Sequence, residues 1–293
     1  MSGSGSTTTR HGFLRLPPGW TREGPTGFGP FVTREVLHAA DGTEVVWESR
    51  RHRKRPAHPA GSTWWAPTAI GWWIGVLFAI GSIGFALGSF PLYADAVGTG
   101  HDNLTYFIGS LFFTTAAFLQ YCQVVGTAHG LGPEDRSWVR RMVTVEPGRI
   151  DWWASAVQFV GTLFFNVTTW HALAGTYSSA TAANHAVWRP DAIGSICFLV
   201  ASWLAWAEVC HGRWAWRPGL HSWWIAGLNM VGSVAFGVSA VASKVEASGT
   251  LRNLALTNLG TFVGAVCFLV GGILLLPERT EGPDGPDMAG AAA

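Results

Sequence analysis

Four stretches of this chain, residues 56–94, 103–133, 152–188 and 218–243, contain no Asp, Glu, Lys or Arg. Charged side chains make up 13% of the 293 residues, whereas a soluble chain carries about a quarter. The shortfall lies in these stretches, and both ends are polar. A water-soluble globular enzyme is thereby excluded. The formal net charge of +1 and a pI near 7.8 also exclude the basic face that general nucleic-acid binding needs.

A helix needs about 20 apolar residues to cross the hydrocarbon of a bilayer. Six runs meet that length, at roughly 69–92, 104–125, 152–174, 191–210, 222–243 and 254–277. The fourth is the weakest, because only the residues between Asp191 and Glu208 are free of charge. Pro67, Pro91, Pro190, Pro218 and Pro277 fall at the ends of these runs, where a missing N–H costs least. Arg and Lys are retained on the cytoplasmic side. With the N-terminus inside, cytoplasmic segments hold all basic residues except Arg189, Lys244 and Arg252. The run Arg50, Arg51, His52, Arg53, Lys54, Arg55 then reads as a topology anchor, in preference to a site for anionic lipid or nucleic acid. Arginine outnumbers lysine seventeen to two, a bias of GC-rich genomes, and the expected location is a bacterial inner membrane with both termini cytoplasmic. No secretory signal opens the chain, so the first apolar run is expected to act as its own insertion signal. Cys122, Cys197, Cys210 and Cys267 lie in or at the ends of apolar runs without a C-x-x-C pair, and read as small buried hydrophobes.

The chain divides into three regions: a cytoplasmic segment 1–62, a transmembrane domain 63–278 and a tail 279–293. Residues 1–12 and the tail have the composition of disordered chain. Between residue 12 and the first helix, Phe31 to Leu37 and Glu44 to Trp47 are β-prone and flank Asp41-Gly42, a turn dipeptide that predicts a small β-hairpin. Two strands alone are not stable in water, so this hairpin is expected to lean on the membrane face, against the 126–151 loop. That loop, with Glu134, Asp135, Trp138, Val139, Arg140, Arg141 and Met142, suits a short interfacial helix.

An internal register organises the six runs. The first, third and fifth share Trp72-Trp73 with Gly81, Ser82 and Phe85; Trp152-Trp153 with Gly161, Thr162 and Phe165; Trp223-Trp224 with Gly232, Ser233 and Phe236. The second, fourth and sixth share Gly109-Ser110 to Phe113, Gly194-Ser195 to Phe198, and Gly264-Ala265 to Phe268. The fold class this predicts is an all-α membrane protein of six transmembrane helices. They form three pseudo-repeated hairpins, about 69–125, 150–210 and 222–278, around a pseudo-threefold axis along the membrane normal. The indole pairs suit a membrane interface, and Gly followed by Ser, Thr or Ala permits close helix approach.

The aromatic start, the V-G-S turn of helix, the short external loop and the I-G-S or V-G-A second helix with an acidic end resemble the YrhK-like family of two-helix bacterial membrane units. Trp223 to Glu278 is the most similar stretch, and residues 150–210 and 70–125 come after it. The resemblance implies the hairpin fold and no defined reaction.

The register also aligns candidate sites. In steps of four, four and three residues, the third helix presents Gln158, Thr162, Asn166 and Thr169 on one face. The fifth presents Asn229, Ser233, Gly237 and Ala240, and the first Phe78, Ser82, Ala86 and Ser89. Bonding between helices is the preferred reading of such side chains; their concentration on the odd helices supports the rival reading, a polar cavity near the axis. Gln123, Glu208 and Glu278 occupy matching places at the cytoplasmic ends of the even helices, with Cys210 and His211 nearby. Glu208, Cys210 and His211 are too close in sequence for one helix face, so interface polarity is the preferred reading over metal ligation. His171 and His185 offer two ligands where a metal site needs three or four.

The expected function is a non-enzymatic scaffold or binding protein that holds a small molecule or lipid on Gln158, Thr162, Asn166, Asn229, Ser82 and Ser233. No catalytic residue, metal or cofactor is assigned, and membrane lipids are the expected surroundings. One rival is an uncoupled facilitator along the same stripe; another is a membrane enzyme at the cytoplasmic mouth with Glu208 and His211. Charge-free odd helices argue against carrier-type and ion-coupled transport.

Overall fold

Backbone N–H and C=O groups find no water in hydrocarbon, so an apolar chain of this kind must satisfy them within helices. The computed structural model describes residues 18–54, 64–127 and 137–278. The tail 279–293, residues 1–12, Arg55, Glu134 and Asp135 lie outside them. The described chain begins with β1 (Thr21–Thr26), β2 (Arg34–His38) and β3 (Glu44–Glu48), followed by the short α1 (Ser49–Arg53). Then come α2 (Ile70–Gly88), α3 (Pro91–Val97), α4 (Thr99–Gly126), α5 (Trp138–Val143), α6 (Ile150–Ala174), α7 (Ala180–Ala183), α8 (Arg189–Cys210), α9 (His221–Ala242) and α10 (Leu254–Glu278).

This is a largely helical multi-pass membrane protein with a small N-terminal sheet. Five helical spans, Ile70–Gly88, Thr99–Gly126, Ala180–Cys210, His221–Ala242 and Leu254–Glu278, are long and apolar enough to cross a membrane. The third apolar run also forms a helix, α6, of 25 residues. Gln158, Asn166 and its threonines keep it out of that set, so five of the six expected runs are apolar enough to span, and the third, rather than the fourth, is the most polar. Large apolar side chains such as Ile83, Leu87, Val231 and Val241 remain exposed on the outer helix faces, as lipid contact requires.

The long helices pack in chain order, α2 on α4, α4 on α6, α6 on α8, α8 on α9, α9 on α10, and α10 returns to α2 to close the ring. Gly75 of α2 lies on Gly272 of α10, with 2.7 Å from a Cβ placed on Gly75 to the Gly272 carbonyl oxygen, and three further glycine pairs recur at matching places. A Cβ placed on Gly81 would lie 2.9 Å from the Gly109 carbonyl oxygen, one on Gly161 3.2 Å from that of Gly194, and one on Gly232 3.1 Å from that of Gly264. Phenylalanines four residues past each glycine share its helix face and cover the partner glycine. Phe85, Phe165 and Phe236 meet one another at 6.0–6.4 Å between ring centres. One layer nearer the α1 end, Phe113, Phe198 and Phe268 meet at 5.6–6.3 Å. The layers touch through Phe85–Phe113, Phe165–Phe198 and Phe236–Phe268 at 5.0–5.4 Å, all within the range of favourable aromatic contact. The centre of the ring is therefore filled by hydrocarbon.

The tryptophan pairs also have a local cause. The Trp73, Trp153 and Trp224 indoles donate to the carbonyls of Pro67, Pro147 and Pro218 at 2.8, 3.2 and 2.8 Å. Each proline stands six residues before its indole, so the same turn enters α2, α6 and α9. Hydropathy and register alone do not connect the prolines to the indoles.

The fourth run starts earlier than charge alone implied. Helix is continuous from Ala180 to Cys210, with a π-helical turn at Asn184–Trp188 just before Pro190. Proline cannot donate to the preceding turn and its ring crowds the carbonyl four residues back; the wider turn makes room. Pro190 thus stands in the first turn of α8, with the π-helical turn and α7 continuing the helix ahead of it.

The N-terminal hairpin proves to be a three-stranded antiparallel sheet in the order β1-β2-β3. β2 and β3 pair in the expected way, with Val36 opposite Val46, around a turn in which Gly42 has φ 84°. β1 is an addition to the expected pair: Thr21–Thr26 contains Gly24 and Pro25, and pairs with β2 across an irregularity between Glu23 and Thr26. Leu37 and Trp47 form its core with Trp20 and Val45. The 126–151 loop does form a short helix, α5. The sheet, however, rests on the end of α8, through Thr33 and Glu48 on His211 and Phe28 on Trp203.

Replacing Gly81 with Ala brings a Cβ to 2.5 Å from the Phe113 ring. Thermal unfolding in detergent should register a loss of about 1–3 kcal/mol for this overpacking. Gly100→Ala, where nothing lies within 4 Å, should be near neutral.

Candidate functional site

On the α1 side of the phenylalanine layers the ring opens into a cavity with room of about 60 Å³ for the centres of water molecules. Phe78 and Phe268 line it, with the apolar side chains of Ile74, Ile225 and Leu275. Gln120 and Gln123 of α4, Gln158 of α6 and Asn229 of α9 also line it. None of these four amide side chains has a hydrogen-bond partner among the described residues, and each is half-buried rather than out in solvent. An amide left unpaired in hydrocarbon costs several kcal/mol, so these four call for water or a polar guest. A Cβ on Gly271 would lie 3.0 Å from Asn229 Oδ1; glycine there gives the amide its place.

Arg50, Arg53 and Lys54, at and just after α1, close the open end. The Arg53 guanidinium donates to both carboxylate oxygens of Glu208, at 2.9 and 3.1 Å, and to Asp151 Oδ2 at 2.9 Å. Ser49 donates to Glu208 Oε1 at 2.5 Å. Arg50 Nε reaches Glu278 Oε1 at 2.8 Å, and Lys54 binds the other oxygen of Glu278. Asp151 is also held by Arg149, which pairs with Glu146. Burial works against the charge on Arg53, but Glu208 first and Asp151 second outweigh it and hold the guanidinium above the ordinary arginine range. Arg50, Arg53 and Lys54 of the basic run are thus ion-paired against the ends of the bundle helices, a destination that the topology-anchor reading does not specify. Local charge gave the sign; the carboxylates that receive it lie more than a hundred residues away in two of the three cases.

The sequence-derived candidates separate accordingly. Gln158 and Asn229 line the cavity. Asn166 instead accepts from Thr114 across α4 and α6 at 3.0 Å. Thr162 donates to its own helix at Phe159, and Ser233 bonds to Ser202 at 2.7 Å. Ser82 is fully buried, and its hydroxyl has no partner among the described residues. Of the mouth cluster, Gln123 lines the cavity and Glu208 and Glu278 bind α1 and Lys54, while His211 takes other partners. Gln120 is not among the sequence-derived candidates, although it stands three residues before Gln123, on the same helix face. No group of three or more His, Cys, Asp or Glu suited to a metal occurs among the described residues.

His211 is a structural outlier with a reason. It ends α8 in the left-handed region, φ 51°, where glycine is the usual residue. His211 and Gly212 N–H groups cap the Glu208 and Ala207 carbonyls. The turn presents Nδ1 to Thr33 Oγ1 at 2.9 Å and Nε2 to Glu48 at 3.5 Å, so the strained residue carries the sheet. The sheet itself buries Glu35, whose carboxyl is pushed up by burial, with Arg22 opposing.

No known family model matches this sequence, and it has no match among curated proteins or solved structures.

The hydrogen bond from His211 holds the Glu48 carboxyl below the usual carboxylate range, against its burial. A lowered folded value means that this contribution is complete above about pH 4.3 and is lost as pH falls through the folded value. Limited proteolysis of the sheet should therefore accelerate below about pH 4, and His211→Ala should flatten that dependence. An unchanged pH profile in the variant would show that the sheet is held elsewhere.

Proposed function

We propose that this chain is a non-enzymatic membrane binding protein that holds a small, uncharged, hydrogen-bonding molecule in the cavity between the phenylalanine layers and α1. The observation that carries this is a set of four unpartnered amides, Gln120, Gln123, Gln158 and Asn229, among apolar side chains in one cavity. Pockets for small ligands combine those two kinds of side chain. Charge balance supports an uncharged guest: Arg50, Arg53 and Lys54 are matched by Glu208, Glu278 and Asp151. The filled centre favours binding over passage, since a facilitator path would have to force both layers of rings apart.

The three glycine contacts, the three proline-indole turns and the paired phenylalanine layers support a reading of the bundle as three YrhK-like hairpins fused in one chain. Under the charge rule the α1 end is cytoplasmic, and the guest is taken from that side of a bacterial inner membrane, with lipids surrounding the ring.

The test is mass spectrometry of small molecules retained by protein purified in a mild detergent, beside a Gln158→Leu, Asn229→Leu variant of unchanged thermal stability. A species retained by the wild type and reduced at least about tenfold in the variant is expected, equivalent to about 1.4 kcal/mol of binding. Equal content in both would overturn the reading.

A further inference from the structure

The amide-lined cavity has one wall that does not belong to the membrane helices. Its open end is closed by α1, five residues long, and the manner of that closure differs from the other end. Toward the phenylalanine layers the seal is hydrocarbon. Toward α1 it is made by charged side chains: Arg53 on Glu208 and Asp151, Arg50 and Lys54 on Glu278. None of the apolar core clusters that hold the bundle together includes a residue of α1. The sheet that carries α1 adds little apolar grip, resting on His211 and on the edge contact of Phe28 with Trp203.

We propose that α1 is a removable lid on the cavity, latched by these ion pairs. The inference rests on the cavity being a binding site and names how access to it is controlled. The physical reason is the balance within a buried ion pair. Its attraction is opposed by the lost hydration of both ions, so separating the pair into water returns much of what the contact gave. An apolar seal of the same area regains nothing on opening. A latch of this kind holds the mouth shut and yet releases at modest cost, more readily as salt screens its partly exposed members. Asp151 keeps Arg149 when Arg53 departs, so opening strands no charge on the α6 side. Glu208 and Glu278 remain at the mouth, where entering water reaches them.

The test reads access directly and needs no guest. Gln158 is replaced with Cys in a chain whose Cys122, Cys197, Cys210 and Cys267 are alanine, none of these four lining the cavity. A charged, membrane-impermeant methanethiosulfonate is added, and the rate of labelling is followed by intact mass. In the latch variant Arg50, Arg53 and Lys54 are Gln, with Glu208 and Glu278 also Gln, so that no ion is left without its partner. The expected result is slow labelling of the intact latch, accelerated by salt, and labelling at least tenfold faster and insensitive to salt in the variant. Should the fivefold variant not fold, Lys54→Gln with Glu278→Gln should give an intermediate rate. Equal rates with and without the latch would overturn the lid. The two readings fail separately: faster labelling in protein that retains no small molecule sinks the ligand and leaves the lid, and retention with unchanged labelling does the reverse.

Discussion

The architecture depends on glycine meeting glycine. Lipid tails are as apolar as leucine, so helices in a bilayer gain nothing from hiding hydrocarbon and associate by close packing and local bonds. At Gly81 with Gly109, Gly161 with Gly194, and Gly232 with Gly264, the missing side chains let the backbones touch. Phenylalanine four residues onward shares each glycine's face, and its ring lies over the partner helix's glycine, as Phe113 does on Gly81 and Phe236 on Gly264. Hole and knob are thus specified together. The rings that fill the holes meet at the centre of the bundle and stop it from being a channel in this conformation.

Away from the rings, the structure is decided by how polar groups find partners. Within the helix interfaces hydroxyls return to a backbone carbonyl or pair across helices, as Ser110 does with Thr169 and Ser239 with Thr261. Amides are larger and carry both donors and acceptors. Asn166 is served by Thr114, but Gln120, Gln123, Gln158 and Asn229 project into the space that α1 covers. On the α1 side carboxylates lie at the rim, where the cations of α1 and Lys54 meet them and water is near. The order from the centre outward, rings, amides, ions, is an order of increasing need for hydration.

The helices and their register were legible in the sequence because a membrane imposes a constraint on every residue of a span: absence of charge shows the helices, and repeated glycine, tryptophan and phenylalanine show their alignment. The central rings were in view as register markers, but nothing in one helix says that three phenylalanines converge. The stripe of polar residues on the odd helices was legible as a stripe, yet steps of four, four and three sweep across an interface and a cavity. Ser82, Thr162 and Ser233 fell in the first, Gln158 and Asn229 in the second. β1 was hidden because Thr21–Thr26 has no strand propensity and is held by pairing with β2. The destination of Arg50, Arg53 and Lys54 was hidden because a basic run beside an apolar helix obeys the charge rule wherever its side chains end.

The matching positions of the helix pairs α2 with α4, α6 with α8 and α9 with α10 separate what the fold needs from what a site needs. Where all three agree, as in Phe85, Phe165 and Phe236 or in Phe113, Phe198 and Phe268, the residues pack against one another around a common centre. At three of the places where they differ, the difference faces the cavity. Phe78 stands at the place of Gln158 and Asn229; Gln120 at that of Ala205 and Leu275; Gln123 at that of Glu208 and Glu278. An assembly of identical hairpins would present a symmetric ring at each of these levels. Departure from symmetry gives this cavity amides on α4, α6 and α9 beside apolar side chains on α2, α9 and α10, and leaves its rim two carboxylates for the three cations Arg50, Arg53 and Lys54, with Asp151 supplying the third. A guest that bonds at some points of its surface and packs at others, and a lid that enters with one face, both require that asymmetry, whereas the packing of the bundle does not.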